Sequence, residues 1–199
     1  MTTTTLTSSR AVLAREAETT HNPYVTTTTD RAALPPQADE ADHLVPLRPI
    51  HMIDLSALRL GADAGSPFVR TRAELIRVLV DGQTQGIPAF TVVTGDTIVG
   101  LLLFEQVYCE VTRSARMSVW IDQGHRSRGI GTTAVRQGLA RAARSGLHRI
   151  EAAVLPENAA GRRMLTRAGF TPIGLARELL LVDGQWRDHV LYEYLIGDE

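Results

Sequence analysis

The chain has 199 residues, 44% of them hydrophobic, and a formal net charge of −1. That length fits one domain plus a tail, and the near-neutral balance argues against nucleic acid or an anionic membrane surface as the main partner. Its single cysteine, Cys109, excludes an internal disulfide or a cysteine-pair metal site, and no apolar run approaches the roughly 20 residues of a membrane span.

The opening residues also lack the apolar stretch of a secretory signal, so a soluble, cytoplasmic protein is expected. Residues 1–43 carry two threonine runs (2–5 and 26–29), Pro35-Pro36 and little periodic hydrophobicity. Such a stretch buries too little apolar surface to offset its ordering entropy, and a mostly disordered tail is expected, with at most a short helix over 10–18. A folded domain is expected over 44–199. Residues 44–50 read as an extended opening strand, and 53–60 and 73–80 have helical spacing, the second ended by Asp81-Gly82. Strands are predicted over 89–93, 98–111 and 115–121, with turns at Gly95-Asp96 and 112–114; short connections imply an antiparallel meander.

A basic, glycine-containing turn follows, then a helix over 132–145 closed by Gly146, and a strand over 148–155. This strand–helix–strand unit predicts a parallel crossover. Asn158 suits the N-cap of a helix running to Ala168, closed by Gly169. Residues 170–182, Asp183-Gly184 and 185–195 read as a hairpin. The expected fold is therefore α+β: a mixed, mostly antiparallel sheet with a central βαβ crossover and a C-terminal β-hairpin.

The turn Arg126-Ser127-Arg128-Gly129-Ile130-Gly131 carries the chemistry. Glycines allow close backbone approach to an anion. The unpaired N–H groups and dipole of a helix start favour negative charge, and arginines add charge-assisted donors. The stretch 129–134 also matches a G-x-G-x-x-A dinucleotide fingerprint, with Glu151 about 20 residues on. Seven polar or glycine residues before the first glycine, the preceding meander and the final hairpin all disagree with that reading. A GxxxxGK[ST] loop is absent.

R-S-R-G-I-G is similar to the Q/R-x-x-G-x-G/A signature of the GNAT N-acetyltransferases. Pro156-Glu157-Asn158 followed by Arg167-Ala168-Gly169-Phe170 resembles that family's "N…LGF" stretch, and 179–191 (LLLVDGQWRDHVL) resembles its RimJ/RimL branch, closest to the ribosomal-protein-alanine type. The resemblance covers roughly 44–195. It implies acetyl-CoA as cosubstrate, no metal, and direct attack of a primary amine on the thioester. It also implies pyrophosphate held by Arg126, Ser127, Arg128, Gly129, Ile130, Gly131 and Thr132, with Val119, Trp120 and Ile121 nearest the pantetheine arm. One backbone N–H there would stabilise the oxyanion. Asn158 would meet the arm or the amine, while its plain alternative is a helix cap, and one side chain can serve both. Ser118 and Trp120 equally suit a half-buried strand.

Gly161 stands where relatives of the branch carry a serine, and Leu165 where many family members carry a tyrosine, so no general acid is assigned. A thiol of pKa about 8.5 leaves tolerably without one. Glu105 and Glu178 are the general-base candidates, each with the alternative of a solvated or cross-strand paired carboxylate. His189, in the W-x-D-H stretch, reads as structural or substrate-lining, because adjacent strand residues face opposite sides and Asp188 therefore does not pair with it. An α-amine, pKa about 7.7–8.0 against about 10.4 for lysine, is the easier acceptor for a site lacking a strong base. The expected acceptor is thus a protein or peptide N-terminus. Alternatives are a small-molecule amine, as in antibiotic self-resistance, and a CoA-binding regulatory domain without catalysis. A monomer or homodimer is expected.

Overall fold

The computed structural model describes residues 47–50, 73, 76–77 and 89–197. The expected tail and the helical spacing over 53–60 lie outside these; of 73–80, Ala73, Ile76 and Arg77 are described, and all three are helical. The elements are β1 (Leu47–Pro49), β2 (Phe90–Thr94), β3 (Thr97–Tyr108), β4 (Ser114–Ile121), α1 (Ile130–Arg144), β5 (Arg149–Val154), α2 (Ala159–Arg167), β6 (Thr171–Val182) and β7 (Gln185–Leu195). They build one seven-stranded sheet in the order β1-β2-β3-β4-β5-β7-β6. All neighbours are antiparallel except β4 and β5, the pair joined by α1. The mixed α+β sheet with its crossover and final hairpin is as expected.

Side-chain alternation divides the sheet into two faces. Met117, Ile121, Ile150, Ala152, Val190 and Tyr192 pack with Ala134, Val135, Leu139 and Leu165 of the helices in the main core. Leu101 and Leu103 point the other way and cluster with Ile50, Ala89 and the half-buried Ile76 and Trp120. Glycines end both helices: Gly146 (φ 75°) and Gly169 (φ 101°) adopt left-handed conformations closed to most residues. Asp183 (φ 52°) and Gly184 (φ 77°) do the same in the β6–β7 turn. Among the described residues no helix is long and apolar enough to cross a membrane.

Candidate active site

The two central strands part. β4 pairs with β5 only over Ser114↔Arg149, Ala115↔Ile150 and Arg116↔Glu151. Beyond these, β4 continues against β3 as far as Gly100↔Ile121, while β5 continues against β7 as far as Val154↔Val190. A V-shaped opening results, with its foot at Arg116.

Which backbone groups face this opening follows from the ladder. Asp122 N–H donates to the Val99 carbonyl (2.8 Å). An antiparallel strand turns alternate residues toward its partner, so Trp120 and Ser118 also direct their N–H and C=O groups at β3. Val119 and Ile121 direct theirs at the opening, as Met117 does its carbonyl, and the Ile121 carbonyl there accepts a hydrogen bond from Arg126 Nε (2.8 Å). Of the three residues expected beside the pantetheine arm, Val119 and Ile121 therefore present main chain to the gap. Trp120 does not; its side chain packs on the far face of the sheet.

At the top of the V the chain makes a 3-10 turn, Gln123–His125. Asp122 caps it, accepting from Gly124 N–H (3.1 Å) and lying 3.2 Å from His125 Nδ1. The His125 contact holds the Asp122 carboxyl below its ordinary range. Ser127 (φ 62°) and Gly129 (φ 81°) bring the chain round into α1. Gly129 is the N-cap and supplies no side-chain cap, so the first-turn N–H groups of Ile130, Gly131 and Thr132 have no intrahelical acceptor. Arg128 is exposed beside them.

The two glycines of the turn serve different ends. A Cβ on Gly129 would meet nothing within 4 Å, so glycine is needed there for its dihedral. A Cβ on Gly131 would come 2.8 Å from Met164 Sδ and 3.6 Å from Ile121 Cγ1, so glycine there lets α1 seat against α2 and β4.

Asn158 starts α2 on the other rim. Its Oδ1 accepts from Gly161 N–H (2.9 Å), as the capping expectation has it. Its Nδ2 lies 2.8 Å from where a Cβ on Gly161 would stand. Capping through oxygen leaves the amide nitrogen as a donor. Arg162 Nη1 donates to the Pro156 carbonyl (3.3 Å) and Arg187 pairs with Glu157, so the loop before Asn158 is tied to α2 and to β7.

Glu105 stands at the foot of the V. It pairs across the ladder with Arg116, is 8% exposed, and accepts a hydrogen bond from the equally buried Ser118 hydroxyl (2.7 Å). Burial pushes its carboxyl up to about 7, against the opposing pull of Ser118 and Arg116. That is the poise a general base needs near neutral pH. Nothing in the sequence marked Ser118 as its partner, because the contact is diagonal across two strands.

Glu178 is placed otherwise. It is exposed, with φ 48°, where three residues of β6 (Arg177, Glu178, Leu179) oppose Asp188 alone. Its N–H donates to Asp188 Oδ1 (2.9 Å), and three strands stand between it and Glu105 in the sheet. The Asp188 side chain is thus engaged with β6, while His189 Nδ1 lies 3.0 Å from the Arg187 carbonyl. The two do not form a dyad. Among the described residues no group of three or more His, Cys, Asp or Glu side chains is arranged to hold a metal ion.

A family model described as the Acetyltransferase (GNAT) family matches residues 61–170. The probable N-acetyltransferase YjcK of Bacillus subtilis is 34% identical over 105 residues, 52% of this chain and 58% of YjcK. Ribosomal protein uS5-alanine N-acetyltransferase of Escherichia coli is 51% identical over 45 residues, 23% of each chain. The matches thus span less than two thirds of these curated relatives. Among solved structures, Mycobacterium smegmatis RimJ in complex with CoA-disulfide aligns with a TM-score of 0.66 and 29% identity over 76% of this chain and 81% of that one. The ribosomal-protein-S5-alanine acetyltransferase of Vibrio fischeri aligns with a TM-score of 0.68 over 78% and 94%; at 22% identity it shows the fold alone.

Proposed function

The chain belongs to the GNAT acetyltransferase family, and we propose that it transfers acetyl from acetyl-CoA to a primary amine, the N-terminal α-amine of a protein or peptide. One observation carries the reading: an open main-chain edge at Val119 and Ile121 runs from an uncapped helix start down toward a buried carboxyl poised near neutrality. The likeness to RimJ supports it. A pyrophosphate meets the N–H groups of Ile130, Gly131 and Thr132, with Ser127 and Gly129 shaping the turn. Arg128 supplies charge, and Arg126 braces the turn against β4. The pantetheine amides pair with the edge at Val119 and with the Ile121 N–H, and Asn158 Nδ2 donates from the opposite rim.

In the reaction, the amine nitrogen bonds to the thioester carbonyl carbon and the carbon–sulfur bond breaks. Glu105 takes the amine proton, and the thiolate leaves without an assigned acid, since Gly161 and Leu165 bring none. The lower pKa of an α-amine favours an N-terminal acceptor over lysine. Glu178, exposed on the bulge, is the weaker base candidate. A cytoplasmic setting is part of the same proposal.

Calorimetric titration with acetyl-CoA, followed by CoA release with Ala- and Ser-starting peptides, tests the reading. Arg128→Glu, a change at an exposed position, is expected to weaken acetyl-CoA binding about tenfold or more, with an effect that shrinks as salt rises. Heat of binding without release on a panel of peptides, polyamines and antibiotic amines would favour a regulatory domain. Release only with small amines would replace the peptide acceptor.

A further inference from the structure

The two faces of the sheet leave the attacking amine one approach. The helix face is filled by the main core and carries the turn at the start of α1, so the acceptor enters the V from the opposite face. On β4 that face bears Arg116, Ser118 and Trp120, alternating with the core-facing Met117 and Ile121. Arg116 is still level with Glu151 of β5 and closes the foot of the V. Trp120 packs into the cluster of Leu101 and Leu103. Ser118 is the first side chain on this face beyond the fork, so its hydroxyl stands at the edge of the gap.

Glu105 lies one strand further back. It belongs to β3, with β4 between it and the gap, and it stands opposite Arg116. Its link to the gap is diagonal: the Ser118 hydroxyl donates to Glu105 Oε2 at 2.7 Å. A hydroxyl has one proton and two lone pairs. The Ser118 proton is committed to Glu105, and no donor among the described residues takes up its lone pairs. An amine in the gap therefore meets the Ser118 oxygen before it can meet the carboxyl behind it.

We propose that Ser118 relays the proton: its oxygen takes a proton from the attacking amine while its own proton passes to Glu105 Oε2. The assignment deepens the acetyl-transfer reading and rests on it. The nitrogen–carbon bond forms and the carbon–sulfur bond breaks. The N–H bond gives way to a new O–H bond on Ser118, and the former Ser118 proton ends on Glu105. Glu105 then returns a proton to water, and the departing thiolate takes up an equivalent one. Ser118 is a catalytic residue in this step, and Glu105 acts through it.

The relay is tested in single turnover, with the acetyl-CoA complex mixed with an Ala-starting peptide, or the amine the wild type prefers, in blends of light and heavy water. Two protons move together, so the wild-type rate should fall along a bowed curve as the deuterium fraction rises; one proton gives a straight line. Ser118→Ala should lower the rate about 100-fold and straighten the curve, with acetyl-CoA affinity unchanged by calorimetry. Ser118→Thr, which keeps a hydroxyl on the same carbon, should recover most of the rate and the bow. A hydroxyl that only held Glu105 in place would shift the pH profile without a second proton in flight. A straight line for the wild type, or a Ser118→Ala enzyme that keeps the wild-type rate or stays bowed, overturns the relay alone. A wild-type protein that neither binds acetyl-CoA nor releases CoA with any amine takes down the acetyl-transfer reading and this one with it.

Discussion

Once ionised, Glu105 is a charge on a largely apolar face, with the Ser118 hydroxyl and the neighbouring Arg116 as its compensation. Its carboxyl is raised from 4.5 to about 7, so the folded state holds that proton more tightly than the unfolded one does. The resulting stability is fully present below about pH 4.5 and is lost as pH climbs to about 7. Glu105→Gln should therefore equal the wild type near pH 4 and exceed it at pH 8 by up to about 3 kcal/mol in denaturant melts. The same change should lower kcat/KM by about 10²–10⁴ and abolish the rise in rate through pH 7. Ser118→Ala removes an interaction that lowers the carboxyl pKa, so that limb should move to higher pH. A limb unmoved in both variants would show that Glu105 is not the base.

At the scale of elements, the site depends on how closely α1, β4 and α2 seat together. Gly131 sets the α1–α2 contact, where a Cβ would press on Met164 Sδ. Because that atom ends a flexible side chain, Gly131→Ala should cost about 1 kcal/mol rather than unfold the protein. In a Met164→Ala background the same change should be neutral or stabilising, since alanine gains about 1 kcal/mol over glycine in a helix. A thermal-melt double-mutant cycle with coupling below about 0.3 kcal/mol would refute the contact. This packing role could not be read from R-S-R-G-I-G, which suggests only approach to an anion. Caps and turns were legible: Asn158, Gly146, Gly169 and Asp183-Gly184 act through their own backbone neighbours, so local chemistry decides them. The diagonal Glu105–Ser118 contact and the three-against-one bulge at Glu178 were not, because register between strands distant in sequence fixes both.

Seen whole, the sheet is two lobes, β1-β2-β3-β4 and β5-β7-β6, whose strands share a ladder of only three residue pairs. The helices bind the lobes together across one face. Arg136 Nη2 of α1 donates to the Arg167 carbonyl of α2 (2.9 Å). At the other edge α1 also reaches β1: Leu47 N–H donates to Gln137 Oε1 (3.1 Å), and Arg141 Nη2 donates to the Leu47 carbonyl (3.0 Å). Arg141 at the same time lies 5.0 Å over the Phe90 ring. Among the described residues Leu47 is the first that α1 grips, and a domain beginning at Leu44 is the boundary we propose from composition. A chain starting at Leu44 should therefore melt within about 2 °C of the full-length protein. Starting after Ile50 removes two buried side chains, Leu47 and Ile50, worth about 2 kcal/mol each, together with the hydrogen bonds of β1 and Ile50 to β2, Ala89 and α1. The melting temperature should then fall by more than roughly 8–16 °C. Equal losses from both truncations would place stabilising contacts in the first 43 residues and move the domain boundary toward the N-terminus.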